Sequence, residues 1–402
     1  MITPLDEKEL ADAVVGAAGP LRIVGGGTRQ TLGHPVVGDP ISTEKLSGIR
    51  LYEPGALTLV AGAGTPLSEV EAALAAEGQR LSFEPMDHRG ILGTTGEPTI
   101  GGVVACNASG PRRIQAGACR DSVIGARFVD GHGNIIKNGG RVMKNVTGYD
   151  LVKLMAGSYG TLGVLSEVSL KVLPQSETAT VIVHGAEGLN ALAAMTKAMR
   201  SPYDVTGAAH VPGDAAKVMC RVEGFTASID YRTGKLRDLL KDFGEVTIDG
   251  DQASQHAIWT GLRDVTDFHD DSYAVWRVSM APSAMFSGLL AAVTQVVPVD
   301  YRLDWAGGLA WIRLSEDTAR TAAGLLNAKG RDPLDGAVAF HGALQDLVKS
   351  EGGGHATLIK APTEMRKTVP VFQPQSAALT AISAGLRQKF DPKGILNPGL
   401  MG

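Results

Sequence analysis

The chain has 402 residues, 44% of them hydrophobic, enough for two or three cores because a single core stops growing near ~250 residues. Its 38 Lys and Arg against 42 Asp and Glu leave a net charge of −4, which gives no basic field for nucleic acid or an anionic lipid surface. Three cysteines, Cys106, Cys119 and Cys220, form no C-x-x-C pair, which excludes a disulfide framework and a four-cysteine iron–sulfur cluster.

The start, MITPLDEKEL, has no basic stretch followed by an apolar one, and no run approaches the ~20 apolar residues of a membrane span, so a cytoplasmic protein without direct membrane insertion is expected. Next comes RIVGGGTRQ, residues 22–30, a short β-type run followed by three glycines. Bare backbone there serves either a turn or a nest of N–H groups around a negative oxygen. Residues 57–78, LTLVAGAGTPLSEVEAALAAEG, predict a β-type run, a Gly-rich turn and a helix with Leu67, Val70 and Leu74 on one face.

Residues 84–113 hold too many glycines and prolines for a regular element of normal length, yet are apolar enough to be ordered, the mark of a functional loop. VIGARFVDGHGNII, 123–136, predicts a hairpin turning at DGHGN. Residues 148–174 predict a helix, a Gly-punctuated turn and a β-type run. Beyond them, TATVIVHG, AKVMCRVEGF, YAVWRVSMAP and LAWIRLS have strand character, and GLNALAAMTKAMR and AMFSGLLAAVTQV have helical spacing. An antiparallel sheet backed by helices is expected. At the C-terminus, FDPKGILNPG, 390–399, reads by itself as a helix stop.

Neither G-x-G-x-x-G nor G-x-x-x-x-G-K-[ST] occurs, so a Rossmann site and a P-loop lack support. No two of the nine histidines fall within one helical turn, and no metal site is expected.

The order GGGT (25–28), TIGG (99–102), GYDL (148–151), GSYGTLGVLSEVSLKVLP (157–174) and FDPKGILNPG (390–399) resembles the vanillyl-alcohol-oxidase (PCMH) type of FAD-binding flavoprotein. Within that type, TIGGVVACNASGPRR, DSVIGARFVDGHG and VMKNVTGYDLVKLMAGSYGTLGVLSEVSLKVLP are most similar to the FAD-binding E subunits of bacterial glycolate oxidases, or glycolate dehydrogenases. The resemblance implies an α+β fold in which a two-subdomain FAD-binding domain, residues 1–175 divided near 52, is followed by a cap domain over 176–370 of antiparallel sheet plus helices. A C-terminal return, 371–402, completes the first domain.

It also implies a cofactor site. Backbone N–H groups of Gly25, Gly26, Gly27 and Thr28 would meet the FAD pyrophosphate, and a side chain at Gly26 would block it while leaving the chain folded. Thr99, Gly101, Gly102, Asn107 and Ser109 would cover the other side. Gly157, Ser158, Gly160, Gly163 and Val164 would run along the adenosine and flavin, and Asn397 with Pro398 would return the chain to the flavin. Histidine next to the first glycines is the usual covalent attachment point; His34 stands seven residues past the last of them, so noncovalent FAD is expected. Cys106 reads as a packing residue.

Oxidising a 2-hydroxy acid needs a cation for the carboxylate and a base for the hydroxyl proton. Arg277 and Arg313, on strand-like segments, are the candidate cations, and His355 in GGGHATLIKAP is the candidate base. Relatives that oxidise 2-hydroxy acids carry a metal-binding pattern resembling H-x-G-D-G-N-x-H, which this chain lacks. The resemblance therefore implies a flavoprotein subunit completed by a companion FAD-containing catalytic subunit and an iron–sulfur subunit, acting on a small 2-hydroxy acid. Two alternatives stand beside it: a free-standing FAD-dependent 2-hydroxy-acid dehydrogenase, and a non-catalytic flavoprotein scaffold.

Overall fold

The computed structural model describes residues 1–140 and 148–402 apart from Asn327. Residues 141–147, which carry part of the VMKNVTGYDL motif, lie outside the described residues. The fold is α+β and divides into two compact units, the first formed by Met1–Gly110, Gly117–Gln175 and Gln375–Gly402, the second by Pro111–Ala116 and Ser176–Pro374.

In the first unit, helix α1 (Glu7–Val15) starts where the Asp6 carboxylate accepts a hydrogen bond from Glu9 N at 2.9 Å. This N-cap satisfies a donor that the first turn leaves unpaired. Strands β1 (Leu21–Val24) and β2 (Asp39–Ser42) pair in parallel. Leu10 and Val14 of α1 pack with Leu21, Ile41, Val164 and Leu396, so the C-terminal segment shares the small core under β1.

A second layer is an antiparallel sheet of β3 (Ile49–Glu53), β4 (Thr58–Gly62), β5 (Val123–Val129), β6 (Ile135–Gly139) and β7 (Val164–Lys171), in spatial order β3-β4-β7-β5-β6. Helix α2 (Leu67–Ala76) buries Leu67, Val70 and Leu74, the face its spacing predicts; each contributes about 1.5–3 kcal/mol. The β5–β6 hairpin turns at DGHGN because the Asp130 carboxylate accepts from His132 N and Asn134 N, both at 2.9 Å, and Gly133 takes φ +84°. Inside the long second loop lie a one-turn helix, Arg89–Leu92, and α3 (Ile100–Ala105), which stops where Asn107 takes a positive φ of 50°.

The second unit is built on one wholly antiparallel sheet. Its strands are β8 (Glu177–His184), β9 (Val205–Val211), β10 (Lys217–Gly224), β11 (Glu245–Asp249), β12 (Ala274–Ser279), β13 (Asp300–Asp304), β14 (Leu309–Leu314) and β15 (His355–Lys360). Their spatial order is β11-β8-β10-β9-β13-β14-β12-β15. Alternation along the strands sends Trp276, Val278, Ala310, Ile312, Ala356 and Leu358 into one core. Helices α4 (Gly188–Met199), α5 (Thr226–Leu240), α6 (Glu316–Leu325) and α7 (Pro333–Ser350) supply Met195, Leu236, Ala319 and Phe340 to it. The AMFSGLLAAVTQV run is helical as its spacing predicts, with a π-helical stretch over Met285–Leu290 that turns Met285, Phe286, Leu289 and Leu290 inward. Among the described residues, no helix is long and apolar enough to cross a membrane.

Candidate functional site

The first glycine loop leaves β1 and immediately meets the second loop. A Cβ on Gly26 would lie 1.6 Å from the Glu97 carbonyl oxygen, and one on Gly25 would lie 2.5 Å from Thr99 Oγ1. Gly27 takes φ +79°, a left-handed conformation open to glycine. Bare backbone is therefore required first by the approach of the second loop. This corrects the expectation that a side chain at Gly26 would leave the fold intact: it would collide with backbone. Thr94 Oγ1 donates to the Thr28 carbonyl at 2.8 Å, holding the two loops together. Among the described residues, no acceptor engages the N–H groups of Gly25, Gly26, Gly27 and Thr28.

The second loop then enters α3, where Thr99 Oγ1 accepts from Gly102 N at 3.3 Å. Gly101 is packed onto the turn after β4; its N–H donates to the Ala63 carbonyl at 2.8 Å, and a Cβ there would lie 2.6 Å from the same oxygen. At the far end of α3, Gly157 N donates to Val104 O at 3.1 Å and Tyr159 N to Ala105 O at 2.9 Å, so the 157–161 turn satisfies carbonyls the helix leaves open. That turn needs Gly157, Tyr159 and Gly160 all at positive φ. Asn397 closes the ring. Its Oδ1 accepts from Ile23 N at 2.8 Å and its Nδ2 donates to Tyr159 O at 2.8 Å, tying β1 to the same turn. The FDPKGILNPG segment is thus both the stop of the preceding helix at Phe390 and a clamp on the glycine loop.

Other predicted site residues have visible structural tasks. Asn107 Oδ1 accepts from Arg120 N and Ser109 Oγ from Cys119 N, both at 2.9 Å, fixing the start of the short helix Cys119–Ser122. Gly163 lies against Phe128, and the Val164 side chain is fully buried in the small core with Leu21. Ser158 differs: its hydroxyl is buried and without a hydrogen-bond partner among the described residues. Cys106 caps the C-terminal end of α3, and burial raises its thiol pKa, which suits a packing role.

Sequence reading missed Arg29. Its guanidinium reaches Met86 O (3.1 Å), His88 Nδ1 (3.3 Å) and Thr28 Oγ1 (3.5 Å), neutral acceptors all. Burial pulls its pKa below the usual range. An Arg directly after a glycine loop was the available signal; a side chain pointing to solvent would have looked the same in sequence. These groups suit an anion: N–H groups of Gly25 to Thr28 without an acceptor among the described residues, a desolvated cation in Arg29 and, in the same unit, the unsatisfied Ser158 hydroxyl.

In the second unit, Arg277 on β12 is half-buried, and its guanidinium carbon lies 4.8 Å from the Trp305 ring centroid. Arg113, from the 111–116 segment of the same unit, lies at the same distance from that ring. Arg313 is engaged with Asp300 at 2.6 Å and stacks over Phe268 at 5.0 Å. His355 is exposed at the start of β15, opposite Ser279, and Arg277 stands opposite Thr357. Arg277 and His355 therefore occupy one face of adjacent strands, two positions apart.

An α+β unit in which a glycine loop, a helix-bearing second loop and a C-terminal clamp are tied into one ring is the architecture of an FAD-binding flavoprotein. The FAD binding domain family matches residues 1–139. The structure of 4-ethylphenol oxidase from Gulosibacter chungangensis shares the fold, with a TM-score of 0.71 at 13% identity over 100% of this chain and 88% of that one. A D-lactate dehydrogenase of Archaeoglobus fulgidus is 34% identical over 165 residues, 40% of this chain and 35% of its own. Glycolate oxidase subunit GlcE of Escherichia coli is 32% identical over 383 residues, 95% of this chain and 92% of its own, and this chain belongs to that subunit's family.

Proposed function

We propose that the chain is the FAD-binding subunit of a glycolate oxidase complex, taking part in the oxidation of glycolate to glyoxylate and passing electrons to companion subunits. The observation that carries this reading is the closed ring of contacts from Gly25 through Thr99, α3, Tyr159 and Asn397 back to Ile23, in a chain similar to a named glycolate oxidase subunit over nearly its whole length. In this reading the N–H groups of Gly25, Gly26, Gly27 and Thr28, with Arg29, hold the pyrophosphate, and Ser158 Oγ gains the partner it lacks. Thr99, Gly101 and Gly102 shape the wall of the cradle. Bound noncovalently, FAD supplies the two-electron acceptor that the side chains of this protein lack. Arg277, its guanidinium plane steadied by Trp305, binds the substrate carboxylate through its edge N–H groups, and His355 takes the hydroxyl proton.

Supporting the subunit reading is a similarity named for a subunit rather than for a whole enzyme. The test is direct. The purified chain should be yellow and release FAD into the supernatant on acid precipitation. With a dye as acceptor it should oxidise little glycolate alone, and activity should appear on coexpression with a companion flavoprotein and an iron–sulfur protein. Flavin retained in the pellet would overturn noncovalent binding. Robust turnover by the chain alone would favour the free-standing dehydrogenase.

A further inference from the structure

The helix Ala377–Phe390 in the first unit has no buried residue along its 14 positions. At 1.5 Å per residue it is about 21 Å long. A helix of that length is marginal in water, and most helices in proteins are stabilised by burying an apolar face. This one has such a face and leaves it uncovered: Leu379 is 53% exposed and Ile382 61%, with Ala378, Ala381 and Gly385 exposed around them. Its anchors among the described residues are at its C-terminal end, where Phe390 meets Phe128 at 6.3 Å between ring centroids, Gly131 N donates to Phe390 O at 2.8 Å and Arg387 donates to Gly402 O at 2.9 Å.

Charge is distributed unevenly along it. Residues 377–386 carry none, whereas Arg387, Lys389 and, just beyond, Lys393 are basic. Asp391 does not offset them at the surface, since it is buried and its carboxylate accepts from Leu396 N at 2.7 Å. Beside this basic end opens a cavity of about 360 Å³, its charged lining made of Arg387, Lys393 and the buried Asp391, with Ala384, Pro398 and Met401 among its other walls. An exposed apolar strip that ends at a basic-rimmed cavity is complementary to an apolar surface bordered by carboxylates. A standard stable interface takes ~800 Å² per side, which the strip and the adjoining cavity would supply together.

We infer that this helix and the adjoining cavity are the docking face for a companion subunit of the oxidase, one presenting apolar side chains flanked by Asp or Glu. The inference rests on the subunit reading above. Its occupant would sit on the segment that, seven residues after Phe390, supplies the Asn397 clamp of the cofactor cradle.

The test coexpresses the tagged full chain with the companion flavoprotein and iron–sulfur subunits and compares it with Leu379→Glu/Ile382→Glu. The variant should recover at least tenfold less companion subunit while keeping wild-type FAD content and thermal midpoint. Lys389→Glu should weaken recovery more at low salt than at high salt. Equal recovery by the double variant overturns the inference. Should that variant melt early, Ala378→Glu, one helical turn from Ile382, takes its place with the same two outcomes. A wild-type chain that recovers no companion subunit overturns the subunit reading itself, and this docking face with it.

Discussion

At the scale of single residues, two buried groups set measurable expectations. Arg29 is desolvated, its hydrogen bonds go to neutral acceptors, and the nearby Asp87 carboxylate offsets that burial only in part, so its pKa stays lowered. Arg29→Met should therefore weaken FAD binding by about 1.5–3 kcal/mol, roughly 10- to 100-fold, the scale for a charged hydrogen bond, while the flavin-free chain melts no earlier than wild type. Unchanged affinity in a flavin titration would remove Arg29 from the site. His341 is the opposite case, a histidine whose neutrality is structural. Trp276 Nε1 donates to its Nδ1 at 2.9 Å, so Nε2 carries the proton and donates to Pro370 O at 2.9 Å. Burial pushes its pKa down to about 4 from 6.5. Above pH 6.5 neither state takes a proton there; between 6.5 and about 4 only the unfolded chain does. The His341 contribution to stability should fall through that window by about 3 kcal/mol and level off below it, where Glu7 and Asp87, whose pKa values are lowered, begin to lose theirs. In urea melts at stepped pH, His341→Gln should flatten most of the slope, leaving the part due to His210, whose pKa burial also lowers.

At the scale of elements, the sequence made the strands and helices legible wherever one face is buried and the period is plain. Leu67, Val70 and Leu74 mark α2, and the Asp130-to-Asn134 turn marks its hairpin. The reason for the glycines was only half legible. Composition shows that backbone is bare at 25–27; it cannot show that Glu97, seventy positions downstream, puts a carbonyl 1.6 Å from where a Gly26 Cβ would be. Nor do the residue types of Asn107 and Ser109 distinguish a cofactor contact from the capping of Cys119–Ser122 that they perform. The consequence is a prediction. Gly26→Ala should destabilise the flavin-free protein by about 1–3 kcal/mol, the cost of overpacking, besides weakening FAD binding. Gly102→Ala, whose Cβ would meet only Thr99 Oγ1 at 3.3 Å and Arg29 Nη1 at 3.5 Å, should disturb the fold far less. Paired melting curves separate them, and a Gly26→Ala protein as stable as wild type would show that the two loops can part freely.

At the scale of the whole molecule, the two units differ in how far residue types alone could carry their reading. The first unit's loops follow an order of short motifs, and in the proposed function backbone geometry would do the binding, so glycine, threonine and asparagine at set positions announce it. The second unit would recognise substrate through isolated side chains on a sheet face, and arginines on strands look alike in sequence whether they face a ligand or a carboxylate. Both lie over aromatic rings, Arg313 over Phe268 and Arg277 over Trp305, and Arg313 also pairs with Asp300. If Arg277 is the carboxylate cation, its role can be read only in the assembled enzyme, because the isolated chain is expected to turn over little glycolate. There Arg277→Met, similar in length and without charge, should lower kcat/KM for glycolate by about 2 kcal/mol or more, the scale for truncating one partner of a buried charge pair. Subunit recovery and the flavin absorbance spectrum should stay as in wild type, which separates loss of a substrate contact from loss of assembly or cofactor. Unchanged kinetics would leave Arg277 as a support for Trp305, and the substrate cation would then have to be sought on the companion flavoprotein.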